Sequence, residues 1–209
     1  MKKTSRMVLI GLAVLLSMAA IESQALASDE FLMNGEAIVS ELPVTIEASW
    51  LEEDMNAQPS DDACTAKFAA DIATGGKLLL LLSVEPGPLV CTNKGGRCLD
   101  ATSETLTPLN MPWNVNLELM GSGEFLAVFS DETGKEIRWR KECQTGIGLI
   151  TDECDWDTNA LLENALEGYV LGIFNSESKG VTCTIGAAEE TLLEGSFLVV
   201  KPGKSISVS

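Results

Sequence analysis

Val44-Thr45-Ile46-Glu47-Ala48-Ser49-Trp50 alternates apolar and polar residues without a break. A period of two places Val44, Ile46, Ala48 and Trp50 on one face of an extended chain and Thr45, Glu47 and Ser49 on the other. That is the pattern of a strand with one side in a core and the other in water. The same period recurs downstream. Cys64, Ala66, Phe68, Ala70 and Ile72 alternate with smaller or more polar residues. Trp113, Val115, Leu117 and Leu119 alternate with Asn114, Asn116 and Glu118. Leu78 to Leu82 is different: five leucines in succession predict a strand buried on both faces, or one central to a sheet. Pro86-Gly87-Pro88 then stops it.

Further strands are expected around these. Residues 125–130 lead through Asp131-Glu132-Thr133-Gly134 into 135–141, which reads as a hairpin. Residues 147–151, 168–175, 180–185 and 194–200 complete the set. Leu161, Leu162, Ala165 and Leu166 follow helical spacing instead, with Asp157 or Thr158 to cap the start and Gly168 to close the end. One short helix is expected over 160–167. Residues 52–62 lack periodicity, contain Pro59 and read as a loop. Together these signals predict a mainly β chain: an antiparallel β-sandwich stapled by disulfides, in one domain spanning 28–209.

The first 27 residues carry a different message. Lys2, Lys3 and Arg6 precede an apolar run from Met7 to Ile21, and Ala25-Leu26-Ala27 supplies small residues at a cleavage site. This is the three-part pattern of a secretory signal peptide. The apolar run is short beside the roughly 20 residues of a spanning helix. The expected location is secreted, extracellular or cell envelope, with no membrane span after signal cleavage. A membrane barrel is not expected, because it needs an outward apolar band with aromatic girdles, and the chain has one tyrosine and four tryptophans.

Composition removes whole classes of function. The chain contains no histidine, so His-ligated metals, Ser-His-Asp catalysis and Cys-His catalysis are excluded. A net charge of −17 over 209 residues argues against a nucleic-acid partner. The six cysteines are Cys64, Cys91, Cys98, Cys143, Cys154 and Cys183. An even count in an exported chain reads as structural disulfides, with fifteen possible pairings. The short glycine-containing segments favour Cys91 with Cys98 and Cys143 with Cys154, leaving Cys64 for Cys183. No C-x-x-C occurs, so neither zinc nor a redox dithiol is indicated.

The remaining candidates are weak. Asp155, Asp157 and Asn159 reproduce the first three oxygen ligands of a calcium loop, but Ala160 replaces the glycine and Leu166 the final glutamate. A solvated acidic loop is the simpler reading. Arg138-Trp139-Arg140-Lys141 is the one basic concentration. Arg138 and Arg140 share a strand face, as a contact for an acidic partner or, more simply, as partners of neighbouring acids. Ser176-Glu177-Ser178-Lys179, Gly203-Lys204-Ser205 and Gly121-Ser122-Gly123 echo catalytic or phosphate motifs without their required context. Trp50 and Trp113, at alternating strand positions, belong to a core rather than to a sugar platform. No catalytic, cofactor-binding or metal residue is assigned, and no cofactor is expected.

Several short segments carry a resemblance: Phe31-Leu32-Met33-Asn34-Gly35, Asn110-Met111-Pro112-Trp113 with Leu117-Glu118-Leu119, Gly172-Ile173-Phe174-Asn175, Cys183-Thr184-Ile185-Gly186 and Leu193-Glu194-Gly195. Together they resemble a group of uncharacterised exported bacterial β-rich proteins with scattered disulfide cysteines. The resemblance implies export and a β fold, and it transfers no activity. The expected function is a non-catalytic β-domain that binds or assembles at the cell exterior, with an unknown extracellular or envelope ligand. The alternative is a small secreted carboxylate-dependent hydrolase, which requires a concave site with two acids and an aromatic wall.

Overall fold

The computed structural model describes residues 29–54, 62–85, 89–93, 103–157, 159–165, 168–174, 181–183 and 191–209. The proposed signal peptide at 1–27 lies outside them. In chain order the strands are β1 (Phe31–Met33), β2 (Glu36–Ala37), β3 (Leu42–Asp54), β4 (Asp62–Ile72), β5 (Leu78–Val84), β6 (Val90–Asn93), β7 (Ser103–Leu109), β8 (Trp113–Leu119), β9 (Phe125–Asp131), β10 (Ile137–Thr145), β11 (Gly148–Trp156), β12 (Asn159–Asn164), β13 (Val170–Phe174), β14 (Val181–Cys183), β15 (Thr191–Val200) and β16 (Ile206–Val208).

Eight of these close an antiparallel barrel in the order β3-β15-β13-β12-β9-β8-β5-β4, with β4 returning to β3. The expected sandwich is corrected by that closure. Alternation tells which face of a strand is buried; it does not tell whether the sheet has an end. Closure depends on β3, which pairs with β15 from Thr45 to Asp54 along one edge and with β4 from Leu42 to Glu52 along the other. A closed sheet leaves no free edge among its own strands.

Most of the alternating residues point as expected, but Leu119 at the end of β8 is 40% exposed. Ile46, Trp50, Cys64, Ala66, Phe68, Ala70, Ile72, Trp113, Val115 and Leu117 are all buried. On the outside, Glu47 and Lys67 face each other across β3 and β4 and form an ion pair at 2.5 Å. The leucine run is a strand central to the sheet, between β8 and β4, but burial on both faces is corrected. Leu79 and Leu81 are buried, Leu80 is half-buried and Leu82 is 41% exposed, because a barrel wall has only one core face. The expected helix is also corrected. Residues 159–164 form β12 between β9 and β13, with Ala160 and Leu162 inside and Leu161 half-buried outside. Residues 166–167 lie outside the described residues. The expected loop at 52–62 is largely strand at its ends, since β3 runs to Asp54 and β4 starts at Asp62.

Glycine shapes the wall at β13. Gly172 stands opposite Phe197 of β15, and a Cβ added there would overlap that ring. The aromatic ring occupies the space that the glycine leaves, against Phe129 and Phe174.

The strands that leave the barrel form two covers. β7, β10, β11 and β14 make a four-stranded sheet in the order β14-β11-β10-β7. All four are inserted between barrel strands at the end where β3 finishes. Ile137, Trp139 and Trp156 of this sheet line the same interior cavity as barrel residues Ile46, Trp50, Phe68 and Trp113. The sheet therefore caps that mouth. The predicted hairpin of 125–141 is corrected here. Residues 131–136 do turn, with Asp131 N donating to Lys135 O at 2.7 Å. However, β9 stays in the barrel between β8 and β12, while β10 pairs with β7 and β11 in the cap. The opposite mouth is covered by β16-β1-β2, whose Phe31, Ile206 and Val208 are buried with Ile38. Asn164 at the end of β12 clamps this cover, donating to Val208 O at 2.9 Å and accepting from Val208 N at 2.8 Å.

The disulfides differ from expectation. Cys64 is bonded to Cys91, with Cα atoms 4.1 Å apart, so neither Cys64–Cys183 nor Cys91–Cys98 forms. The reason lies in β4, which pairs with β5 along residues 68–72 and then with β6 along 62–65, bringing Cys64 opposite Cys91. Cys143 and Cys154 are both disulfide-bonded, but not to each other. In the β10–β11 register Cys143 faces Ile150 and Cys154 faces Trp139. Four positions along a strand span about 13 Å, beyond the reach of a disulfide. Cys154 stands opposite Cys183 in the β11–β14 register. Peptide mapping of the non-reduced protein is therefore expected to return Cys64–Cys91 and Cys154–Cys183. Cys98, outside the described residues, is then left for Cys143. A Cys143–Cys154 peptide would refute this assignment.

Candidate functional site

A polar cleft of about 620 Å3 lies between the end of β9, the 131–136 turn and the β10–β11 pair. Asp131, Glu136, Asp155 and Asp157 line it together with Lys135, Arg138 and Asn110. Of the candidates that the sequence singled out, Arg138, Asp155 and Asp157 line it.

Asp131, Arg138 and Asp155 can be followed to their partners. Asp131 is only 8% exposed. Its Oδ1 accepts from Thr133 N at 2.8 Å, Thr133 Oγ1 at 2.7 Å and Lys135 N at 2.9 Å, and its Oδ2 accepts from Asn110 Nδ2 at 3.2 Å. The Lys135 backbone N–H foremost, then the Thr133 hydroxyl, hold this carboxyl below the usual aspartate range despite its burial. Arg138 donates through Nε and a terminal nitrogen to both oxygens of Asp155. Arg140 donates to Glu153 at 2.8 and 2.5 Å. Lys141 stands opposite Asp152 in the same register. The basic run is therefore a set of cross-strand pairings between β10 and β11, as the simpler of the two readings expected.

Asn110 joins the parts. Its backbone is in the left-handed region at φ 46°, which asparagine tolerates better than most residues. Its amide donates to Asp131 Oδ2 and to Glu136 O at 3.1 Å. Its Oδ1 accepts from Trp113 Nε1 at 3.0 Å and Arg138 N at 3.1 Å. One side chain thus connects the β7–β8 corner, the β9–β10 turn and the start of β10 in the cap. Sequence reasoning assigned no role to Asn110 or Asp131. Asn110 enters the sequence reading only through the resemblance, and Asp131-Glu132-Thr133-Gly134 only as a turn.

Asp131→Asn is expected to flatten the acid limb of stability. The folded protein holds the Asp131 carboxyl below its unfolded value of about 3.9. Its stabilisation is present above that pH and is lost as pH falls through the lower folded value. The drop in Tm between neutral pH and about pH 3 should be smaller in the variant. An identical drop in both proteins would refute the assignment.

The calcium candidates do not assemble. Asp155 and Asp157 reach the cleft, but Asp155 is occupied by Arg138. Asn159 begins β12 opposite Val128, and its Oδ1 is buried without a hydrogen-bond partner. Among the described residues, no group of three or more His, Cys, Asp or Glu side chains is placed to hold a metal ion. Gly203-Lys204-Ser205 forms a turn, with Lys204 N on Lys201 O and Ser205 N on Asn34 Oδ1. Ser176 to Lys179 lie outside the described residues.

The four tryptophans form one cluster under the cap. Trp139 packs at 4.9 Å from Trp113, 5.3 Å from Trp156 and 5.6 Å from Trp50, measured between ring centroids. All four are buried, so none offers an exposed platform to a sugar. Among the described residues no helix is long and apolar enough to cross a membrane. No protein-family model matches the chain, and no curated protein or solved structure matches it either.

Proposed function

We propose that this chain is an exported, non-catalytic binding or structural module of the cell exterior. The observation that carries the reading is the state of the carboxylates in the cleft. Hydrolysis by paired acids needs one carboxyl held protonated and a second free to act. Asp131 accepts four hydrogen bonds that favour its charged form, and Asp155 is held by Arg138. Asp131 is bound into the 131–135 turn and to Asn110, and Asp155 joins β11 to β10 within the cap; neither is poised for proton transfer. The aromatic residue of the cleft, Phe129, packs inward on Phe174 and Phe197 instead of forming a platform. The export signal, the Cys64–Cys91 disulfide and the resemblance to exported β-rich proteins support a role in an oxidising exterior.

The test is retention of the oxidised protein, residues 28–209, on envelope fragments of the producing cell. Saturable retention that is lost on reduction is the expected result. Absence of retention in both states would overturn the reading. So would hydrolysis of envelope material that Asp155→Asn abolishes.

A further inference from the structure

The outer wall of the barrel is not uniform. Across β9, β12, β13 and β15, most of the residues that alternate with the core are aliphatic. Leu126, Leu161 and Ile173 stand side by side in one cross-strand row, and Leu171 and Leu198 in the next. Val128 extends the patch along β9. Ile173 is 37% exposed, and the other five are half-buried. Adjacent strands lie about 4.8 Å apart, and alternate residues of one strand about 6.8 Å. The patch is therefore roughly 14 Å across in each direction, a little more than the width of one helix with its side chains. Both covers sit on the mouths, and among the described residues no third sheet lies over this wall. An apolar face rimmed by polar residues is the usual form of an interaction surface.

The charges of this wall carry one sign. β8, β9, β12, β13 and β15 contain no lysine or arginine. Their acids include Glu118, opposite Leu126, and Glu163, opposite Leu171, and both are exposed. On β3 and β4 the signs are mixed, as in the Glu47–Lys67 pair. The arrangement argues against three occupants. A second copy laid face to face would set these acids against acids, on chains of net charge −17. An anionic lipid surface would meet no cation on these strands. An added strand would find no free edge, because β9, β12, β13 and β15 each pair with a neighbour on both sides. A cationic amphipathic helix meets both features. Its apolar stripe covers the aliphatic rows, and its lysines or arginines reach the glutamates.

We propose that this wall is the docking surface for a cationic amphipathic helix of a partner protein. The helix lays its apolar side chains on Leu126, Leu161, Leu171, Ile173 and Leu198 and its basic side chains beside Glu118 and Glu163. This rests on the reading of the chain as a binding module and names the chemistry of the partner that the module takes.

The experiment titrates the oxidised protein by calorimetry with short synthetic helical peptides. One carries leucines along one face and lysines on the other. A second has the same residues scrambled, which keeps the charge and destroys the stripe. A third has glutamate in place of lysine. The first should bind saturably and at least about tenfold tighter than the scrambled peptide, the size of one or two buried aliphatic groups. The glutamate peptide should not bind. Leu161→Thr with Ile173→Thr keeps charge and strand propensity. It should weaken the first peptide about tenfold while melting as a folded protein. Should that variant fail to fold, the scrambled peptide still decides. Equal binding of the ordered and scrambled peptides, an unchanged affinity in the folded variant, or a wild-type dimer that the variant abolishes would overturn the surface. If the peptides fail but envelope retention persists, the surface fails and the module reading stands. If retention also fails, both fall.

Discussion

Trp139→Ala is expected to destabilise the oxidised protein by about 4 kcal/mol, within the range for truncating a large buried aromatic. Trp139 is 2% exposed and belongs to the cap. The rings around it are Trp50, Trp113 and Phe68 of the barrel and Trp156 of the cap. Removing the indole therefore leaves a void beside the existing cavity and cuts the main apolar contact between the two sheets. Urea unfolding with the disulfides intact measures the loss. Ile147→Ala is the control, because Ile147 is 93% exposed at the β10–β11 turn, and its effect should stay within about 0.5 kcal/mol. A Trp139→Ala loss no larger than the control would mean that the cap does not rest on the barrel core.

Gly195→Ala should cost about 3 kcal/mol, at the upper end of overpacking effects. Gly195 faces Trp50 across β15 and β3. A Cβ there would overlap Ser49 O and lie 2.7 Å from Trp50 Cβ and 2.8 Å from Trp50 Cα. Two of these three atoms are backbone, so no side-chain rotation relieves the clash. The strands must part locally, and the barrel wall opens between β3 and β15. Ser196→Ala, one residue on and directed to the outer wall, should be close to neutral. Comparable melting temperatures for the two variants would remove the packing argument.

How much of this was legible beforehand can be judged from particular residues. The 44–50 alternation placed Ile46 and Trp50 inside correctly, and 113–119 did the same for Trp113, Val115 and Leu117. The errors share a cause. Leu80 and Leu161 lie on the outer barrel wall, half-covered by their neighbours. Apolar residues there blur the period of two. This made 78–82 look buried on both faces and 160–167 look helical. The hairpin error is of another kind. Asp131-Glu132-Thr133-Gly134 specifies a turn, and a turn forms. Which sheet receives the strand after it depends on the partners offered by β7 and β11, far along the chain.

The candidate site follows the same division. Arg138 and Arg140 could be placed on one strand face from their spacing, but their partners Asp155 and Glu153 required the β10–β11 register. Asn110 carries no local signal for its role, and it holds three elements together only because the cap folds back over the barrel.

By itself, the sequence determined the β class, the inward face of most strands, and the absence of imidazole chemistry, because these depend on residue type and on spacing within one strand. Closure into a barrel, the Cys64–Cys91 bond and the gathering of four tryptophans under a cap were decided only by tertiary structure. Each depends on register between segments distant in the chain, and pairing free energy is shared among many residues that no local pattern encodes.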